Sequence, residues 1–186
     1  MKTLYFLTGN AHKLQEAREI LSDYQIQGVS LELDEIQGLD PETVIQHKLK
    51  QAAENESRRP LLCEDVSLLF EAYHQLPGPL VKWFIDASPN KNADLLLQMM
   101  QGQTNRSARA VCFYGLLDTD EQMHFFQGEI KGSIAEHLTG DNGFGWDPIF
   151  IPEGQKQTFS EMPGALKHEI SHRKRALEAI KTFLET

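Results

Sequence analysis

Residues 3–24 read TLYFLTGNAHKLQEAREILSDY, and the change of period inside that stretch decides the fold class. Residues 3–8 are a short apolar run rich in strand formers, broken by Gly9-Asn10, after which Leu14, Ala17, Leu21 and Tyr24 recur at helical spacing. The pattern predicts a strand, a tight turn and a helix. Further along, residues 25–33 alternate enough for a second strand. Residues 41–57 predict a helix with Val44, Ile45, Leu49, Ala52 and Ala53 on its inner face, and residues 60–63 a third strand that ends in Glu64-Asp65. A Pro-Gly-Pro turn at 77–79 leads into a helical stretch through Trp83, and residues 92–100 are apolar enough to be a packed helix. Then the period changes. Residues 108–117 and 122–130 read as a hairpin of long strands around residues 118–121, and residues 149–151 as another short strand. A final helix over residues 173–183 is expected to bury Ala176, Leu177, Ile180, Phe183 and Leu184. Helices and strands that interleave, followed by an antiparallel pair, make the chain α/β with a mixed sheet.

The whole length, residues 1–186, is expected to form a single domain: 40% of it is hydrophobic and 24% charged, enough for one sizeable core. Lys and Arg number 18 against 27 Asp and Glu, a net charge of −9, which argues against binding a nucleic acid polymer through a general positive field. No apolar run approaches the roughly 18–20 residues of a membrane span, and polar residues follow Leu7 too early for a secretory signal. A soluble, cytoplasmic protein is expected. Cys63 and Cys112 sit in apolar runs at a spacing that fits neither a metal knuckle nor a disulfide framework, so both read as buried free thiols.

Four segments carry chemistry. Thr8-Gly9-Asn10-Ala11-His12-Lys13 stands where a strand gives way to a helix, and free amides and the macrodipole attract phosphate there; the same residues also read as a plain Asn10 cap with a solvated lysine. Glu64 and Asp65 are two acids directly after an apolar strand, costly to leave unpaired if a neighbouring helix buries them. Glu35, at the expected end of the second strand, is a third acid able to join them, and oxygen ligands alone point to Mg²⁺ rather than zinc. The bland alternative is a set of solvated loop carboxylates. Gly143-Phe144-Gly145-Trp146-Asp147-Pro148 places two aromatics between glycines, able to offer a flat face to a ring while Asp147 accepts a hydrogen bond at its edge, or else to close the core as an aromatic turn. The last segment runs from Lys167 to Arg175 and holds four Lys or Arg and one acid. If Ser171 caps the final helix, Arg173, Lys174 and Arg175 crowd its first turns against the macrodipole, a local conflict that an anionic ligand would relieve.

In their order along the chain these segments resemble the inosine triphosphate pyrophosphatase family. The resemblance spans essentially the whole sequence, through TGNAHKLQEA, ELDEIQG, LLCEDVSL, LPGPLVKWF, RSARAVCFYGL, FGWDPIFIPEG and QTFSEMPGALKHEISHRKRAL. It implies an elongated, two-lobed α/β fold around a long mixed sheet, with a substrate cleft between the lobes, and a homodimer. It further implies that Thr8, Gly9, Asn10 and Lys13 hold phosphates, with Lys48 and Lys82 reaching the same chain, and that Glu35 and Asp65 bind Mg²⁺. Phe144 would stack on the purine, Gly145, Trp146, Asp147 and Lys167 would complete the pocket, and His172 and Arg173 would address the 6-oxo edge. The sequence departs from the family pattern at Val66-Ser67, at Ser160 where alanine is usual, and at His168 where asparagine is frequent. None of these removes a charged group from the expected site.

The expected activity is Mg²⁺-dependent hydrolysis of non-standard purine nucleoside triphosphates (ITP, dITP, XTP) to the monophosphate and pyrophosphate, which cleanses the nucleotide pool. Asp65 with Glu64 would orient or deprotonate the attacking water. Two readings from other classes stand beside it: a nucleotide-binding sensor without hydrolysis, and a single-strand binder using Phe144 and Trp146 as platforms, which the net charge opposes.

Overall fold

A computed structural model of the chain describes residues 2–185. Strand β1 (Thr3–Leu7) turns into helix α1 (Ala11–Ile20), followed by β2 (Gln25–Val29), α2 (Pro41–Asn55) and β3 (Leu61–Phe70). A two-residue strand, β4 (Pro77–Gly78), precedes α3 (Val81–Ala87) and α4 (Asp94–Met99). The long strands β5 (Ser107–Leu117) and β6 (Met123–Ile134) come next, then β7 (Phe150–Pro152), α5 (Gly164–Ile170) and α6 (His172–Leu184). Among the described residues the strands form one mixed sheet in the order β2-β1-β3-β5-β6-β7, with β4 beside β3. β1 runs parallel to β2 and to β3, whereas β3–β4 and β6–β7 are antiparallel. The mixed α/β class expected from the period changes is the one observed.

The chain divides into two compact units. The first comprises the residues up to Asp65, Cys112–Gly128 and Arg173 onward, and the second Val66–Val111 and Glu129–His172.

In the first unit Asn10 and Asp40 start α1 and α2 by accepting backbone N–H bonds, and Pro41 occupies the first turn of α2, where its missing N–H costs nothing. Ile45, Leu49 and Ala52 of α2 pack on Leu61 and Cys63 of β3 and on Leu117 of β5. That approach needs a glycine at 115: a Cβ there would lie 2.3 Å from Ile45 Cγ2 and 2.8 Å from Leu49 Cδ1. Both cysteines are buried and free, and burial pushes the Cys63 thiol up to about 12.

The second unit is built on Leu68, Phe70, Leu96, Met100, Ile130, Ile134, Trp146, Phe150 and Phe159. Trp146 meets Phe150 edge-on with ring centroids 5.6 Å apart, and Phe150 and Phe159 lie 5.3 Å apart.

Three elements differ from the sequence reading. β2 stops at Val29, so Glu35 lies in an irregular stretch rather than at a strand end; the alternation over 30–33 is real, because Leu31 and Leu33 still pack on the first unit's core. β3 does not end at Glu64-Asp65 but continues to Phe70, since both acids find cations inside the fold. α5 was not expected, and Ser171 is the one residue separating it from α6. In α6 Ala176, Leu177 and Ile180 are buried as expected, while Phe183 and Leu184 are only half-buried. No helix among the described residues is long and apolar enough to cross a membrane.

Candidate functional site

The glycine turn after β1 is ordered by its own side chains. Thr8 Oγ1 accepts the Asn10 N–H at 3.1 Å, and Asn10 Oδ1 accepts those of His12 and Lys13 at 2.9 and 3.2 Å. The Asn10 cap therefore forms as read, but the lysine beside it is not left to solvent. Space above Gly9 is open, with nothing within 4 Å of where a Cβ would stand.

Lys13 reaches Glu64, its Nζ 2.8 Å from Oε1. Glu64 also accepts a forked pair of hydrogen bonds from Arg173 Nε and Nη2, each 2.9 Å, and Arg173 Nη1 donates to Glu16 on α1. Glu64, Glu16 and Arg173 are all buried, and the Cys112 thiol adds a weak donation to Glu64 at 3.6 Å. Burial alone would raise the Glu64 pKa, but the charges of Arg173 and Lys13 hold it well below the usual carboxylate range. The conflict between the basic run and the start of α6 is thus eased within the protein. Arg173 has Glu64 and Glu16, and Lys174 pairs with Glu178 one turn on at 3.2 Å.

Beside this network stands a second, more accessible one. Lys48 on α2 extends its ammonium between Glu35 and Asp65, 3.4 Å from a carboxylate oxygen of each. Asp65 is pushed above its ordinary pKa by burial, against the pull of Lys48 and Lys13, and Lys48 is carried above its own by Asp65 and Glu35 in spite of burial. No cluster of three or more His, Cys, Asp or Glu among the described residues could hold a metal ion unaided. Two hard carboxylates gathered on one cation nevertheless suit Mg²⁺, which takes one or two carboxylates and completes its shell with water and phosphate oxygens.

The second unit collects the aromatic segment. Gly143 has φ +77, and a Cβ there would lie 2.2 Å from Asp147 Oδ2, so only glycine leaves that carboxylate its place. Asp147 Oδ2 accepts the Phe144 N–H at 2.8 Å and the Lys167 ammonium at 2.7 Å, an ion pair about 5% exposed on each side. Lys167 Nζ lies 4.9 Å from the centre of the Phe144 ring. Phe144 itself is half-buried, whereas Trp146 is buried and lies 5.2 Å from the His172 ring. Gly145, at φ +64, has open space around it.

The residues expected to act together fall into two sets. Thr8, Gly9, Asn10, Lys13, Glu35, Lys48, Glu64, Asp65 and Arg173 belong to the first unit; Lys82, Phe144, Gly145, Trp146, Asp147, Lys167 and His172 belong to the second. Lys82 is exposed on α3, 5.7 Å from the ring of its neighbour Trp83. Two participants were not anticipated. Glu16 was legible as an acid three residues after Lys13 and beside buried Ala17, on the inward face of α1. Phe159, 5.7 Å from Lys167 Nζ, gave no signal beyond its own hydrophobicity.

The Ham1 family model matches residues 4–183. The chain is 41% identical to the inosine triphosphate pyrophosphatase of Scheffersomyces stipitis, over 99% of this chain and 98% of that one, and 36% identical to that of Candida albicans over the same shares. Among solved structures it is similar to the Staphylococcus aureus Ham1 protein, with TM-score 0.85 and 27% identity over 99% of this chain and 98% of that one. A HAM1 protein from Coxiella burnetii follows with TM-score 0.81 and 26% identity over 100% and 99%. A nucleoside-triphosphatase, dITP/XTP pyrophosphatase, from Mycobacterium abscessus has TM-score 0.73 and 28% identity over 96% and 98%. With a family model that takes in almost every residue and full-length relatives above one-third identity, the chain belongs to the Ham1 family.

Proposed function

We propose that this chain, a nucleoside triphosphate pyrophosphatase by family, hydrolyses non-standard purine nucleoside triphosphates (ITP, dITP and XTP) to the monophosphate and pyrophosphate, with Mg²⁺, in the cytoplasm and as a homodimer. The observation that carries the reading is the convergence of Glu35 and Asp65 on the Lys48 ammonium, acids and a cation gathered where a triphosphate needs both.

Glu35 and Asp65 are the residues that would hold Mg²⁺, whose chemistry there is neutralisation of phosphate oxygens and of charge on the leaving group. Asp65 orients a water toward the α-phosphorus and takes its proton as the new P–O bond forms; the bond from that phosphorus to the bridging oxygen breaks, and pyrophosphate leaves. The Asp65 carboxylate, partly exposed beside Lys48, is placed to accept that proton. Glu64 acts beside Asp65 by fixing Lys13 and Arg173. Lys13, Lys48 and Lys82, with Thr8, Gly9 and Asn10, bind the phosphate chain. On the second unit Phe144 offers its ring to the purine, Gly145 leaves room for it, the Asp147–Lys167 pair holds that ring in place, and Trp146 completes the pocket. His172 and Arg173 select a 6-oxo purine, because an adenine amino group would face donors with a donor.

The test is a release assay that separates pyrophosphate from orthophosphate across ITP, dITP, XTP, GTP and ATP, with and without Mg²⁺. Pyrophosphate from the first three, lost on chelation, supports the reading. Equal rates on all five remove the selectivity, and nucleotide binding without release makes the chain a sensor. Asp65→Asn is expected to abolish turnover while nucleotide binding stays measurable.

A further inference from the structure

We infer that Lys48 is the exchangeable counter-ion of the Glu35–Asp65 pair: its ammonium gathers the two carboxylates in the substrate-free protein and yields that place to a divalent cation by moving onto the substrate's phosphates. The inference rests on the function proposed above and adds an order to it, since metal and nucleotide then enter together.

The geometry is symmetrical. Lys48 Nζ lies 3.4 Å from Glu35 Oε1 and 3.4 Å from Asp65 Oδ1, so it belongs to neither acid alone. Its side chain is 12% exposed, against 20% for Asp65 and 38% for Glu35, so Lys48 is the most buried of the three. With the ammonium between them, the two acids and the lysine carry a local charge of minus one. A divalent cation added to that arrangement would leave plus one in a partly buried place, which low dielectric makes costly. If the ammonium leaves, the pair and the cation balance. A lysine suits the exchange, because its charge is compact and its stem flexible, whereas a guanidinium would be held as a fork. The ammonium needs somewhere to go, and a triphosphate supplies the anion. Metal and nucleotide should therefore raise each other's affinity by the same factor.

The experiment measures free Mn²⁺ by electron paramagnetic resonance while Mn²⁺ alone is titrated into the full chain without nucleotide. Wild type is expected to bind weakly, and Lys48→Met and Lys48→Gln at least about tenfold more tightly, because the competing charge is gone. Lys48→Arg, which keeps the charge, should stay with wild type. A non-hydrolysable ITP analogue should tighten Mn²⁺ in wild type and do so far less in Lys48→Met. If neither neutral variant gains affinity, or if Lys48→Arg gains as much as they do, the exchange is overturned. Glu35→Gln in the Lys48→Met background separates the two levels: loss of the gained affinity supports the exchange, and its retention removes the metal assignment to Glu35 and Asp65 itself.

Discussion

Replacing Arg173 with Met tests the buried network most directly, because methionine keeps much of the volume and removes every donor. Arg173 is 2% exposed and donates to Glu64 twice and to Glu16 once. After the substitution Glu64 retains Lys13 at 2.8 Å, while Glu16, 8% exposed, loses its hydrogen bond from Arg173. Breaking a buried pair by deleting one member costs about 3–5 kcal/mol, against roughly 0–1 kcal/mol for an exposed one. At about 2–4 °C per kcal/mol for a chain of this size, the melting temperature should fall by roughly 6–20 °C. Urea unfolding followed by circular dichroism gives the free energy. The double variant Arg173→Met, Glu16→Gln should be more stable than the sum of the single losses, since Glu16 and Arg173 are directly paired, with a coupling of about 0.5–3 kcal/mol. A loss below about 1 kcal/mol for Arg173→Met, or strict additivity with Glu16→Gln, would refute the view that these three side chains form one desolvated unit.

Other substitutions probe the remaining pieces. Phe144→Ala should raise KM for ITP by about 5–150-fold, the equivalent of roughly 1–3 kcal/mol of stacking, with a smaller change in kcat, and Phe144→Trp should restore it; an unchanged KM takes the ring away from the purine. The Ser160 hydroxyl is buried without a hydrogen-bond partner among the described residues, so Ser160→Ala should stabilise the protein by about 1–3 kcal/mol in urea unfolding, whereas a loss would mean the hydroxyl is satisfied. With both thiols buried and the Cys63 thiol raised to about 12, neither cysteine should react with a thiol reagent at mildly alkaline pH until the protein is unfolded, and prompt labelling of either in the native state contradicts the packing.

Much of the first unit was legible because local signals and tertiary structure agree there. Asn10 and Asp40 followed by helical spacing, and Pro41 at a first turn, specify α1 and α2 with no knowledge of their neighbours. The hairpin β5–β6 announced itself by two apolar stretches around Asp118, whose side chain accepts the Asp120 and Gln122 amides. Legibility stopped where a charge is answered from far away. Glu64 and Asp65 read as the end of a strand because unpaired acids belong in loops; β3 continues through them since Arg173, 109 positions later, and Lys48 supply the missing charge. The basic run at the start of α6 failed for the same reason. Its conflict with the macrodipole was real, but part of the relief comes from Glu16 and Glu64 rather than from a ligand. For the aromatic segment the glycines were the informative letters. Gly143 marks a close approach by Asp147, and that contact fixes Phe144 and Lys167 together, a geometry no periodicity encodes.

The charge count of the first unit's groups also bears on how an anionic substrate is bound at all. Lys13, Lys48 and Arg173 are set there against Glu16, Glu35, Glu64 and Asp65, so these seven groups together carry one net negative charge, in a chain whose net charge is already −9. Such a surface repels a triphosphate, and Lys13 is held within its ion pair with Glu64. Rearranging these side chains among themselves cannot change the sign, because every cation freed exposes a carboxylate. Only an added cation does so, and Glu35 and Asp65, proposed above to hold one, are the least buried of the four acids. The network of Glu64, Arg173 and Glu16 is the more deeply buried, whereas the shallower one around Lys48 is where the exchange inferred above would take place. On the function proposed above, removing divalent metal with a chelator should therefore weaken nucleotide binding itself and not only turnover, and equal binding with and without metal in an equilibrium assay would refute this.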